Sequence, residues 1–344
     1  MAPPRLRRLL PVAVGVSLLS LAGILVYFQA RRDVDVLGAL RGLDLRFVAA
    51  AVGLHVASHL AWTLRIGTLA RGLGIPLRPL AAWRLVTAGQ FAGAVTPARA
   101  GAEAMRITLL VRGGARGVAA SRTVLADRAA DLVFFATLGT LGAFALGAVF
   151  GSGAVALRGL AFAAAAALLT FIAVLVLGLR RPEAVAGGAE RVWNGLRRVV
   201  RRPPSRVRAP VSSFLADVRV GVVSLARESP WRLVVAAVLS VAVWSLEYGV
   251  LWVLLRGLGV EMPVVAVLAA GVLLTMLAAL PISVGGAGVS EIAAVLLLGP
   301  WAGGLAPVVV LLWRASSYYY DVALGGFVAA WSLPRRAAPT ATLQ

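Results

Sequence analysis

Long apolar runs separated by short arginine clusters alternate along this chain from its start almost to its end. Runs near or above 18 residues match the thickness of a bilayer, so the pattern predicts membrane-spanning helices at about 9–28, 46–70, 121–150, 154–179, 231–256 and 305–332. The first run follows Arg5, Arg7 and Arg8 and has no small-residue cleavage site after it, only Gln29-Ala30-Arg31-Arg32. It therefore reads as an uncleaved helix with its N-terminus inside, not as a signal peptide. Two apolar stretches break the rule. Thr96-Pro97 and Gly101 interrupt 79–112, and Pro281, Gly285, Gly286 and Gly288 interrupt 263–299. Neither has enough unbroken length for two spans. Each is predicted to form a re-entrant hairpin of two half-helices, because backbone groups freed by Pro and Gly at membrane depth must be buried in protein or line a cavity.

The arginines orient these elements. The segment 180–230 is rich in Arg against Glu183, Glu190, Asp217 and Glu228, which places it inside by the positive-inside rule. Within it, Trp193, Leu196 and Val200 recur at helical spacing, as do Phe214, Leu215, Val218, Val222 and Leu225. Two amphipathic helices lying on the inner leaflet, with Arg among anionic headgroups, account for that pattern, as does an ordinary basic linker. Arg335 and Arg336 place the C-terminus inside as well. Helix 231–256 then leads outward and the last helix returns, so 263–299 makes no net crossing and dips in from outside, whereas 79–112 dips in from inside. The fold class expected is an all-α polytopic membrane protein with about six full transmembrane helices plus two re-entrant half-helix hairpins in an inverted repeat. One integral membrane domain covers 1–344: a first repeat at 46–150, the basic cytoplasmic segment at 180–230, and a second, inverted repeat at 231–332.

Composition narrows the function. The chain is 60% hydrophobic with a formal net charge of +20, all of it from Arg. The charge falls between apolar runs and no nucleic-acid motif accompanies it, so no nucleic-acid partner is expected. The absence of Cys excludes thiol catalysis, disulfides and Cys-ligated metals. His55 and His59 share one helix face, which for a lone pair points to packing or hydrogen bonding. No metal and no cofactor are expected. Ser283 and Ser290 lack a positioned base, so no nucleophile is assigned.

Charges inside apolar segments are costly and default to functional candidates. Glu103 and Arg106 lie three apart after the first break, and Asp127, Arg128 and Asp131 lie within four residues on the next helix. Glu291 follows the second break as Glu103 follows the first. Arg314, Tyr318 and Asp321 fall at i, i+4 and i+7, one stripe of a regular helix. Glu247, mid-helix, pairs with an Arg or binds a proton. With Arg99, these residues form a candidate anion site between the two hairpins, whose half-helix N-termini and Arg side chains suit phosphate. The alternative is that acids and bases merely neutralise one another and lock the bundle. Close approach of Glu103, Arg128, Glu291 and Arg314 is expected in either case.

The runs Thr96-Pro97-Ala98-Arg99-Ala100-Gly101-Ala102-Glu103-Ala104-Met105-Arg106, Leu125-Ala126-Asp127-Arg128-Ala129-Ala130-Asp131 and Leu280-Pro281-Ile282-Ser283-Val284-Gly285-Gly286-Ala287-Gly288-Val289-Ser290-Glu291, followed by Arg314, resemble the flippase-like membrane domain of lysylphosphatidylglycerol synthases. The resemblance covers nearly the whole chain. Family members usually have Pro-Gly-Arg and Glu-Arg where this chain has Pro97-Ala98-Arg99 and Asp127-Arg128; the swaps keep the Arg and the acid. The resemblance implies translocation of an anionic, aminoacylated or polyprenyl-phosphate-type lipid between leaflets. It does not imply synthesis, since aminoacyl transfer belongs to a soluble domain of the synthases and this chain stops at Gln344. The alternative is an accessory protein that binds lipid or a partner for a lipid-modifying or glycosyl-transferring enzyme without moving anything. Either way the expected partners are membrane phospholipids or a lipid-linked substrate, with a homo-oligomer left open, and the expected location is the plasma membrane with both termini cytoplasmic.

Overall fold

The computed structural model describes residues 36–96, 99–135, 181–199, 208–278, 286 and 288–332, with isolated positions at 15 and between 166 and 180. Every described element is a helix. After the short α1 (Val36–Arg41), α2 (Leu45–Gly72) starts at Asp44, whose carboxylate accepts the Arg46 backbone N–H at 2.9 Å. Next come α3 (Pro79–Ala94), α4 (Gly101–Arg112) and α5 (Gly117–Phe134). The basic segment forms α6 (Pro182–Val199) and α7 (Arg208–Glu228). The second half comprises α8 (Pro230–Gly257), α9 (Val264–Ala278), α10 (Val289–Ala302) and α11 (Ala306–Arg314). A π-turn at Ala315–Tyr319 then leads into α12 (Tyr320–Ser332). Proline stands in the first turn of α3, α8 and α11, where its missing N–H is free of cost and its fixed φ is already helical. The predicted helices 9–28 and 154–179, and the end of 121–150, lie outside the described residues, as do the turn residues Pro97, Pro281 and Gly285.

Both broken stretches are pairs of short helices. In the first, the Thr96 hydroxyl donates to the Ala92 carbonyl at 2.7 Å and accepts the Gly101 N–H at 2.8 Å, tying the end of α3 to the start of α4. A side chain at Gly101 would sit 2.5 Å from the Ala92 carbonyl, so only glycine allows this approach. In the second, Gly286 and Gly288 take φ of 78° and 83°, the left-handed region that glycine enters without strain.

Two antiparallel pairs organise the bundle. α2 and α8 pack along their length: His55 meets Glu247, Arg65 meets Ser240, and the Thr68 carbonyl meets Arg232. α3 and α12 do the same, from the Tyr318 hydroxyl on the Ala94 carbonyl to Arg84 over the Trp331 ring at 4.5 Å. α7 rests against the bundle, with Leu225 buried among Leu69, Ala126 and Ala236, while α6 leaves Val192 and Trp193 exposed. Leu60, Leu64, Val234, Val238, Ile292, Leu296 and Phe327 face outward while Arg65, Arg106 and Asp127 are buried. Water would not select that arrangement; hydrocarbon does. Among the described residues, 45–72, 230–257 and the 289–332 stretch are long and apolar enough to cross a membrane.

Close helix approach depends on small residues here. A Cβ on Gly325 of α12 would lie 2.6 Å from the Thr87 carbonyl and 2.7 Å from Phe91 Cβ on α3. Gly325→Ala is expected to force these helices apart and destabilise the fold by about 1–3 kcal/mol. Gly53→Ala, with open space around it, is expected to leave stability unchanged or raise it. Thermal unfolding in detergent checks both.

Candidate functional site

Three charge clusters lie within the helical bundle. The first is built by α2, α4 and α5. Asp127 and Asp131, one turn apart on α5, both receive the Arg65 guanidinium; Arg65 Nε donates to Asp127 Oδ1 at 2.8 Å, and Nη1 bonds Asp131 and the Ser240 hydroxyl. Trp62 Nε1 donates to Asp127 Oδ2 at 2.9 Å, and Trp244 Nε1 donates to Asp131 Oδ1 at 2.9 Å. Arg128 reaches Asp131 Oδ2 at 2.9 Å, Asp127 Oδ2 at 3.1 Å and Glu103 at 3.5 Å. Three guanidinium groups, of Arg65, Arg106 and Arg128, thus face three carboxylates, and all three stand within 5.2 Å of the Trp62 ring centre.

The three arginines are not equivalent. Arg65 is buried and held by short bonds on two sides. Arg128 keeps about a third of its side chain exposed (31%), so an incoming group can reach it. Arg106 is wholly buried, yet among the described residues none of its three guanidinium nitrogens has a hydrogen-bond partner. Its nearest acid is Asp127, at 3.7 Å, and its main support is the Trp62 face at 4.4 Å. It packs over Gly89, where a Cβ would lie 2.7 Å from its Nε.

The second cluster repeats part of this arrangement. Glu291, in the first turn of α10, accepts the Gly288 N–H at 2.7 Å and pairs with Arg314 Nε at 3.0 Å. Arg314 also lies 4.9 Å from the Tyr318 ring centre. Glu103 likewise stands in the first turn of the helix after a break, and takes an Arg from the next helix. Each glutamate finds its cation in its own half of the chain. Of the four residues expected to meet, the ion pairs among the described residues join Glu103 to Arg128 and Glu291 to Arg314. Arg99, with φ of 55°, projects from the turn before α4 and donates to Gln90 Oε1 at 3.0 Å.

The third cluster was not foreseen as a unit. Asp321 does not continue the Arg314–Tyr318 stripe. The π-turn between them widens the helix and carries Asp321 round to His55 and His59, at 3.3 and 3.1 Å. Among the described residues Glu247 meets no Arg: it lies 3.0 Å from His55 Nδ1 and accepts the Ser58 hydroxyl at 2.9 Å. Arg65 was missed altogether, although an arginine about two turns before the end of a 28-residue apolar helix is a signal of the same kind as Arg128.

A cavity of about 830 Å³ opens beside the first cluster's helices, between the α2–α3 and α4–α5 turns, lined in part by Arg78, Arg84, Arg112 and Arg116. Apolar exterior, charged interior and repeated broken helices define a multi-pass α-helical membrane protein. Residues 9–325 match the family described as the lysylphosphatidylglycerol synthase TM region, and the chain belongs to that family. It is also similar to a UPF0104 membrane protein of Archaeoglobus fulgidus, 22% identical over 321 residues, covering 93% of this chain and 96% of the relative.

Proposed function

We propose that this protein moves a phosphate-bearing lipid between leaflets. The observation that carries the reading is Arg106, a buried guanidinium with three unsatisfied nitrogens, beside the reachable Arg128 and Arg99. A buried donor set without acceptors is costly, and a bidentate anion such as phosphate offers the acceptors it lacks. The α4 N-terminus, where Arg99 stands, adds a positive dipole end. The basic cavity fits a vestibule through which an anionic headgroup approaches.

The antiparallel packing of α2 on α8, and the recurrence of break, first-turn glutamate and partner arginine, support an inverted repeat with alternating access at its centre. The two helix pairs would then be re-entrant, α3–α4 from the cytoplasmic side and α9–α10 from the opposite side. The membrane is read as the plasma membrane, with both termini and the α6–α7 segment cytoplasmic and facing anionic headgroups. Single-Cys labelling tests that topology cleanly because the chain has no native Cys. Residues near 190 should label only after permeabilisation, and labelling in intact cells would reverse the topology.

The function itself is tested in vesicles that contain the purified protein and fluorescent phospholipids, with leaflet-selective quenching. Faster loss of protection than in protein-free vesicles is expected for an anionic phospholipid. No movement of any anionic lipid would leave the accessory-protein reading in its place.

A further inference from the structure

We propose that His55, His59 and Asp321 bind one divalent transition-metal ion of the zinc class, with Glu247 orienting His55. His55 and His59 stand one turn apart on α2, the i, i+4 spacing by which two imidazoles on a helix converge on one ion. Asp321 Oδ1 lies 3.3 Å from His55 Nε2 and 3.1 Å from His59 Nε2, and the ligand atoms all fall within 4.8 Å of one another. A tetrahedral ion with bonds of about 2.0–2.1 Å separates its ligands by about 3.3–3.4 Å, so small side-chain movements complete the site.

Three further observations point to an ion rather than to packing. His59 is buried with Nε2 3.1 Å from Asp321 Oδ1, the same oxygen that faces His55 Nε2, so both imidazoles and the carboxylate converge on one point. Behind His55, both Glu247 oxygens lie at 3.0–3.1 Å from Nδ1, and Ser58 holds that carboxylate from the other side. A carboxylate on Nδ1 fixes the proton there and turns Nε2 into the ligand, the usual arrangement behind metal-bound histidines. Finally, charge must balance. Among the described residues, the ion pairs of Glu247 and Asp321 go only to the two imidazoles. With neutral imidazoles the cluster carries two negative charges in hydrocarbon surroundings, and one divalent ion cancels both. Two imidazole and one carboxylate ligands with an open fourth position suit Zn²⁺, and the same donors accept Co²⁺. The π-turn that delivers Asp321 is a helix irregularity frequent at functional sites.

The test uses the full chain in detergent, stripped with a chelator and then dialysed against Zn²⁺, with bound metal measured by mass spectrometry. About one equivalent per chain is expected. His59→Asn and Asp321→Asn should each remove it, and Glu247→Gln should weaken it by roughly 10- to 100-fold, with size-exclusion profiles reporting whether each variant folds. Should a variant fail to fold, Co²⁺ loaded into the wild type decides: visible d–d bands of a four-coordinate site with nitrogen ligands support the assignment. Stripped wild type that takes up no Zn²⁺ would overturn it, leaving two protonated imidazoles as the compensating charges. Full uptake by folded His59→Asn or Asp321→Asn, or a Co²⁺ spectrum of a six-coordinate aquo ion, would overturn it equally.

Discussion

Arg106→Gln is expected to leave a folded protein whose lipid movement falls by roughly 10- to 100-fold, the worth of a charge-assisted hydrogen bond. Two guanidinium groups then face three carboxylates, which lowers stability, but the fold is expected to survive because, among the described residues, Arg106 makes no hydrogen bond that the substitution can break. Its one acid, Asp127, keeps Arg65 at 2.8 Å, Trp62 at 2.9 Å and Arg128 at 3.1 Å. Function fails because Gln offers neither the charge nor the planar fork that grips a phosphate. Arg128→Gln and Arg314→Gln should also abolish movement. For Arg314 the loss of charge strands Glu291, so the double variant Glu291→Gln/Arg314→Gln should recover stability without recovering transport. The measurement is the leaflet-protection assay, run beside a thermal melt for each variant. Equal lipid movement by wild type and the folded Gln variants would reject the anion site.

Arg65→Met is expected to behave in the opposite way and prevent the protein from reaching its native fold. Arg65 lies one helical turn from Trp62 and is, with Arg128, one of two cations that Asp127 and Asp131 share at short range, and the fully buried one of the two. Removing one member of a buried ionic group leaves uncompensated charge and costs about 3–5 kcal/mol, a large part of the stability of a domain. Asp131→Asn in the same chain should restore much of it, because two guanidinium groups then face two carboxylates. Unfolding followed through Trp fluorescence separates these cases. A melting curve for Arg65→Met that overlays the wild type would show that the cluster does not hold the bundle together. Together the two substitutions test whether one buried arginine holds the fold while its neighbour serves the proposed anion site.

Much of the architecture was legible before any coordinates. Apolar length marked 46–70, 231–256 and 305–332, which fall within the 45–72, 230–257 and 289–332 stretches long enough to span, because hydrocarbon thickness sets helix length directly. The two breaks were visible because Pro and Gly act on their own backbone, and they fall where α3 meets α4 and α9 meets α10. The candidate charges Glu103, Arg128, Glu291 and Arg314 were visible from similar positions in the two halves, but which acid takes which arginine was not. What misled was the assumption of regular geometry. Seven residues after Arg314, a regular helix would present Asp321 on the same side, but the π-turn moves it to the histidines.

The sequence by itself determined that this chain is a helical membrane protein, where its helices start and break, and which charges lie inside apolar segments. Those properties depend on residues a few positions apart. The tertiary structure decided the partners. His55 and Asp321 are 266 positions apart and Arg65 and Ser240 are 175 apart, so their meeting depends on how α2 packs against α8 and α12. No local period encodes that choice, because each buried charge has several opposite charges it could have met. Packing selects among them, and among the described residues it leaves Arg106 without an acceptor.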